Sequence, residues 1–344
     1  MALLSGMDAV AQSWNSSVVY ADEEGRFMYF SDEEGNRIPD FGYAGYRGGG
    51  VDLPEIPSVV VLNPSGSGDD TDQIQQALDM VGGMEPDSEG YRGAVMLNAG
   101  TYRISAPLVI GHSGVVLRGA GSGADPAENT VIIAAKEVGE ISDVVIRVGN
   151  GATNWSSAEG SPVTEVVTEW VPVGNRTMEV ASSDGFAAGD DIILHHPASQ
   201  AWIDVVDGGA PDDPLLAASW MPSESNLDIV MKRTISEVRG NLLVLDVPVF
   251  THLRRDLSVV SVYKPDLSTE IRECGVEDFR LVLESDGETS TSHGFNALMF
   301  DGVENCWADG VVVLHFQKTG IGTMNSRFVT IQNAAALEPH APID

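Results

Sequence analysis

Seven side chains late in the sequence have the chemistry of a reaction centre: His293, Asn296, Asp301, Trp307, Asp309, His315 and Lys318. His315 and Lys318 can take up a proton, as can His293. Asp309 can donate one or hold a cation, and Trp307 offers a flat platform on which a ring can stack. All lie beside short apolar runs. His293 precedes Leu298-Met299-Phe300, and His315 follows Val311-Val312-Val313-Leu314. If those runs stack as neighbouring strands, the polar groups share one face. The plainer reading makes them turn residues and a core tryptophan.

A second set lies upstream: His195, His196, Trp202, Asp204, Trp220, Lys232, Arg233, His252, Arg254 and Arg255. Trp202 could stack on a ligand. The Arg254-Arg255 pair could receive a carboxylate or sulfate, although ordinary pairing with the many nearby acids competes for it. Asp69, Asp70 and Asp72 could hold Ca2+, but helix capping is the simpler use of Asp70. Asp190-Asp191 after Gly189 reads as a hairpin turn. Cys274 and Cys306 have no histidine at ligand spacing and read as buried thiols, with no zinc site. Gly119-Ala120-Gly121-Ser122-Gly123 lacks the Lys-Ser/Thr of a phosphate loop and reads as a turn.

The elements that must position these groups are short. Ala94-Val95-Met96-Leu97, Leu108-Val109-Ile110, Val115-Val116-Leu117, Val131-Ile132-Ile133 and Val144-Val145-Ile146 are each bounded by glycine or polar residues. Runs of three or four residues cannot offset their own ordering entropy, but stacked in register they bury a common core. Ahead of them, Asp70 with Gln73 forms a capping-box pattern. Ile74, Ala77, Leu78 and Val81 make one apolar stripe before Gly82-Gly83. This predicts a helix over about 70–81 that caps the end of the stack. Residues 160–262 break the rhythm and read as hairpins of a small antiparallel insertion, with a long loop over 197–228. Gly275-Val276-Glu277-Asp278 and Gly302-Val303-Glu304-Asn305 look like successive copies at an offset in the mid-twenties, and Ser326-Arg327-Phe328-Val329 like a weaker third. No amphipathic cap follows the last copy, so the chain is expected to be truncated or to close by association.

The predicted organisation is therefore an aromatic-flecked arm at 1–57, first rungs at 58–159, the insertion at 160–262, and further rungs at 263–344. The fold class is all-β: a right-handed parallel β-helix with an N-terminal capping helix. Composition agrees. The chain has 344 residues, 37 of them glycine, and is 43% hydrophobic. Its net charge of −32 argues against nucleic acid and anionic membrane surfaces as partners. Such a surface should also repel polyanionic glycans unless a local basic patch or bound cation intervenes. No run reaches transmembrane length. Ala9-Val10-Ala11 before Gln12 resembles a signal-peptidase site, though no basic stretch precedes it. Residues 1–11 are read as a signal-peptide remnant, with an ordinary disordered N-terminus as the alternative, and on the first reading the protein is expected to be extracellular or periplasmic.

Four segments resemble the pectate-lyase-like β-helix superfamily, in particular its pectate lyase 3 (rhamnogalacturonase/epimerase-like) N-terminal region. Asp40-Phe41-Gly42-Tyr43-Ala44-Gly45-Tyr46 is similar to that family's D-F-S-Y-A-G-Y arm, with glycine for serine. Gly68 to Ala77 is similar to G-x-x-D-D-T-x-x-I-Q-x-A, and Asn98-Ala99-Gly100-Thr101-Tyr102-Arg103-Ile104 to P-A-G-T-Y-x-I. Val115 to Gly121 matches V-x-L-R-G-x-G. These are scaffold motifs. The resemblance implies a carbohydrate-active protein whose partner is a polysaccharide, expected to contain uronic acid. Cleavage by β-elimination is the first expectation and glycoside hydrolysis the second. A non-catalytic glycan-binding β-helix and an inert fragment are the alternatives. On this reading His315, Lys318, Asp309 and His293 are the catalytic candidates. Trp307, Trp202, Arg254 and Arg255 are the substrate-binding ones, and Ca2+ is the one cofactor considered.

Overall fold

The computed structural model describes residues 16, 18–66, 68–139, 143–151, 155–206 and 228–341. The proposed signal remnant and Trp220 lie outside these residues. The chain forms two compact units: Met1–Phe41 with Gly160–Lys264, and Gly42–Glu159 with Pro265–Asp344.

The second unit is a parallel β-helix. Its first full rung is Gly93–Leu97, Gly100–Ile104 and Leu108–Ile110, and its second is Val115–Arg118, Thr130–Ala134 and Val144–Val148. The third is Gly275–Glu277, Arg280–Leu283 and Asn296–Asp301. The fourth is Val303–Asp309, Val312–Leu314 and Thr319–Met324, and Arg327–Gln332 with Ala335–Leu337 follow as the last strands described. Corresponding strands pair parallel, giving three sheets, and Ser58–Leu62 adds an edge to the first. Successive side chains on a strand point to opposite faces. Val95, Leu97, Tyr102, Ile104, Leu108, Ile110, Val115, Leu117, Ile132 and Phe300 accordingly point inward and form one continuous core.

The third rung pairs with the second as if nothing lay between them. Gly275 sits beside Val116, Leu281 beside Ile132 and Leu298 beside Ile146. The chain leaves and re-enters at neighbouring points: Ser157 bridges Pro265, and Asp266 N–H donates to Ser156 C=O at 2.8 Å. Rung length is less regular than the sequence copies imply. Arg327 follows its neighbour Glu304 by 23 positions. In the preceding rung the offset is 32, as between Cys274 and Cys306. Gly275 therefore stands beside Trp307 and not beside Gly302. The connection from Glu284 to Phe295 is long, and it displaces the apparent GVED/GVEN alignment.

The helix Thr71–Gly82 buries Ile74, Ala77, Leu78 and Val81 in the same core, closing the end of the solenoid beside the first rungs. Its cap differs from the expected box. Asp70 stands at the N-cap, but its carboxylate accepts the backbone N–H groups of Ser65 (2.8 Å) and Arg103 (3.0 Å). The Gln73 amide reaches the same carboxylate. Asp69 instead accepts the Thr71 N–H, at 2.9 Å. Two of the three aspartates considered for Ca2+, Asp69 and Asp70, thus have hydrogen-bonding work in the scaffold.

The other unit is antiparallel. Asp191–His196 pairs with Ile229–Arg239, which turns back through Gly240 and Asn241 into Leu242–Leu245. Gly240 takes φ 59°, the left-handed conformation such two-residue turns require. Val166, Met178, Ile192, Leu194, Ile235, Leu243, Leu245 and Val262 form its core. Where a long loop was expected, Gln200–Val206 is helical, and residues 207–227 lie outside the described part. Among the described residues no helix is long and apolar enough to cross a membrane.

On the outer face of the first sheet, Ala94, Val116, Gly275, Trp307 and Thr330 stand side by side across the rungs. The indole of Trp307 lies over Gly275, where any Cβ would overlap it. Gly275→Ala is therefore expected to destabilise the protein by about 1–3 kcal/mol, the usual cost of overpacking. Urea denaturation checks this, and a change within about 0.5 kcal/mol, the range of neutral surface substitutions, would contradict it.

Candidate active site

Two residues beyond the Trp307 row, on the same outer face, lies a polar row. Met96, Arg118, Glu277, Asp309 and Gln332 are register neighbours on successive strands. The last four floor a cleft of about 720 Å³ whose wall is the segment Asp52–Ser58. That segment is anchored nearby. Tyr46 is buried, and its ring meets Trp307 edge-on at 5.3 Å. Its phenol bonds Tyr91 and Glu273, and its N–H donates to Thr330 Oγ1 at 2.8 Å.

Each carboxylate in the row has distinct partners. Glu277 is buried and accepts from Trp307 Nε1 (2.7 Å) and from Arg118 Nε. Arg118 also donates Nη1 to the Ile56 carbonyl at 2.8 Å, tying floor to wall. Asp309 accepts from Gln332 Nε2 (3.0 Å) and Asn333 Nδ2 (2.8 Å). Asp278 follows Glu277 at φ 56°, and its N–H donates to the Asp309 carbonyl at 3.0 Å. Its carboxyl reaches over Gly310, where a side chain would collide with it. Although Asp278 opens to the cleft, its pKa is raised. Partial desolvation is the largest cause, followed by the charges of Glu277 and Asp309, with Arg118 opposing. A carboxyl with a raised pKa near a carboxylate held by two amide donors is an arrangement that can divide acid and base roles between two acids.

The late constellation read from the sequence separates into two places. Asp309 and Trp307 belong to the first sheet. His293, His315 and Lys318 stand at the corner between the second and third sheets. Trp307 is fully buried against Tyr46 and Tyr91, so it cannot serve as a sugar platform. Lys318 lies 5.2 Å over the Phe295 ring, and Asn296 donates to the Asp143 carbonyl. Asp301 is buried, and burial raises its pKa despite Arg147.

In the insertion, Arg254 pairs with Asp256 and lies over the Trp170 ring, while Arg255 bonds the Val166 carbonyl and Glu165 (3.2 Å). Both guanidinium groups are thus paired within the unit. Trp202 meets the buried His196 edge-on at 5.4 Å. His195 bonds Asp228 at 2.7 Å, His252 stacks on Trp170 at 4.8 Å, and Asp204 accepts from Gln200 at 2.6 Å. Lys232 and Arg233 are buried, the latter donating to the Lys232 and Pro248 carbonyls. Among the described residues no group of three or more His, Cys, Asp or Glu is arranged to hold a metal ion. Arg118, Glu277, Asp278 and Gln332 were not singled out from the sequence as site residues. The acids ending each copied segment were the available signal, but their shared face follows only from the true register.

No protein-family model and no curated protein matches the sequence. Solved structures that are similar include three phage tailspikes. The gp49 tailspike of Pseudomonas phage LKA1 is 14% identical at a TM-score of 0.35, covering 77% of this chain and 44% of its own. The gp61 tailspike of Pseudomonas phage phi297 is 13% identical at 0.35, covering 78% and 42%. The Gp54 tailspike of Acinetobacter baumannii bacteriophage AP22, solved with an A. baumannii capsular saccharide, is 9% identical at 0.35, covering 78% and 44%. This chain spans less than half the length of each tailspike.

The histidine corner has its own chemistry. His293 is fully buried, and neither ring nitrogen has a hydrogen-bond partner among the described residues. His315, at φ 61°, stacks on His340 at 4.1 Å and lies 3.4 Å from Glu338. His340 Nδ1 bonds Ser285. Burial lowers the pKa of His293, chiefly, and neighbouring His340, His315 and Lys136 add to the effect, partly offset by the His315 backbone. The unfolded chain therefore takes up a proton that the folded corner refuses, and stability contributed here falls as pH drops below the ordinary histidine value of about 6.5. Thermal melts at pH 5 and pH 7.5 should show a smaller acid loss for His293→Phe than for the unaltered chain. Equal losses would refute this account.

Proposed function

We propose that this is a carbohydrate-active β-helix protein that cleaves a polysaccharide by glycoside hydrolysis in the first-sheet cleft. The observation that carries this reading is the Asp278/Asp309 pair, one carboxyl with a raised pKa and one anchored by Gln332 and Asn333. Asp278 gives its proton to the departing glycosidic oxygen. Asp309 acts at the opposite side of the bond, either on the anomeric carbon or on the attacking water. Glu277 takes no part in proton transfer. Held by Trp307 and Arg118, it supplies the negative charge that favours the protonated form of Asp278. Resemblance of the scaffold motifs to the pectate-lyase-like superfamily supports a carbohydrate substrate, and an extracellular or periplasmic site of action goes with it.

Hydrolysis ranks above β-elimination because elimination needs a free base and a cation facing a uronate. Arg118, the cation among the described residues lining this cleft, is engaged by Glu277 and the Ile56 carbonyl.

Asp278→Asn and Asp309→Asn should each lower kcat by about 10²- to 10⁴-fold with the fold intact, the range for losing an acid or base catalyst. Asp278→Asn should also remove the alkaline limb of the kcat/KM profile. His315→Ala and Lys318→Ala should stay close to the parent rate. New reducing ends and the ultraviolet absorbance of unsaturated uronides are followed together. Growth of that absorbance would replace hydrolysis with elimination, and full activity in both asparagine variants would remove the site.

A further inference from the structure

The charge lining the cleft bears on what it takes. Five carboxyl groups face it or floor it: Asp52 and Glu55 on the wall, and Glu277, Asp309 and the proposed proton donor Asp278 on the floor. The cation among the described lining residues is Arg118, and its Nε and Nη1 are already committed to Glu277 and the Ile56 carbonyl. The buried Trp307 N–H holds the other oxygen of Glu277 at 2.7 Å, so Glu277 cannot swing aside to release Arg118 without breaking a second hydrogen bond. A uronate entering this space meets like charge on the wall and on the floor, and the guanidinium it meets there, that of Arg118, is already paired. The chain's net charge of −32 adds a long-range field of the same sign.

We infer that the cleft selects glycans carrying a free amino group, accepts uncharged ones more weakly, and rejects uronic acids. The inference rests on the cleft being the glycan site and replaces the uronic-acid expectation drawn from the family resemblance. The ammonium of an amino sugar would pair with Asp52 or Glu55 while the glycosidic bond lies over Asp278 and Asp309. One unit charge about 4 Å from another changes an equilibrium constant roughly fivefold even at the dielectric of water, so a few such contacts separate the three substrate classes clearly.

The test uses the full chain carrying Asp278→Asn, so that binding is measured without turnover. Titration calorimetry compares tetrasaccharides of glucosamine, N-acetylglucosamine and galacturonate. Binding should be tightest for glucosamine and weakest for galacturonate, by about tenfold between the extremes at about 20 mM salt, and the spread should narrow at about 300 mM. Adding Asp52→Asn and Glu55→Gln should bring the glucosamine to N-acetylglucosamine affinity ratio toward one, with circular dichroism unchanged. Tighter binding of galacturonate, a ratio unmoved by the wall substitutions, or binding of none of the three overturns the inference. Hydrolysis of a uronic-acid polymer by the unaltered chain would overturn it while leaving the hydrolytic reading intact. The expected binding order without any hydrolysis would do the reverse.

Discussion

Everything in the solenoid depends on parallel register. A slip of one residue in a strand exchanges its two faces. In the first sheet such a slip would turn Val276 outward and Glu277 into the core. The continuous core of Val95, Leu117, Val276 and Ala308 prevents this. Two outer rows then follow from one inner row: the packed one containing Trp307, and the polar one containing Arg118, Glu277, Asp309 and Gln332. Hydrophobic burial on one side of a strand thus places charged groups on the other, without any contact that selects them directly.

The polar row is stabilised by unequal treatment of similar acids. Glu277 is buried, which would be costly for an isolated carboxylate, but it is matched by an indole N–H and a guanidinium. Asp309 is matched by two neutral amides, and Asp278 lacks a comparable cation of its own. The aromatic cluster of Tyr46, Tyr91 and Trp307 links this pattern to the segment walling the cleft. Fold stability and site electrostatics therefore share a residue, Trp307, which was first suspected as a ligand platform.

Much of the architecture was legible from local chemistry. The helix stripe Ile74, Ala77, Leu78 and Val81, the three-residue apolar runs and the interruption near residue 160 each carry a physical signal within a few residues. The site was legible only in fragments. Asp309, which lines the cleft, drew notice because it stands among other reactive types. Its neighbours Glu277 and Gln332 lie about a rung away in sequence, and the variable length of the 284–295 connection conceals that spacing. The structure separates His315 and Lys318 from Asp309 because residues close in sequence to Asp309 lie around a corner from it, on another side of the solenoid.

The continuity of the ladder across the insertion has a consequence for synthesis. The strand Val115–Arg118, paired on one side with Gly93–Leu97, finds its second partner only when Gly275–Glu277 exists. During translation the first two rungs must persist with one flank of backbone donors and acceptors unpaired while more than a hundred further residues are made. Closing a longer loop costs little extra entropy, about 0.6 kcal/mol per doubling, so the delay is one of time more than of equilibrium. An unpaired parallel edge is also a template for wrong partners. The order in which this chain leaves the ribosome therefore makes the seam between the second and third rungs its most exposed point for misassembly.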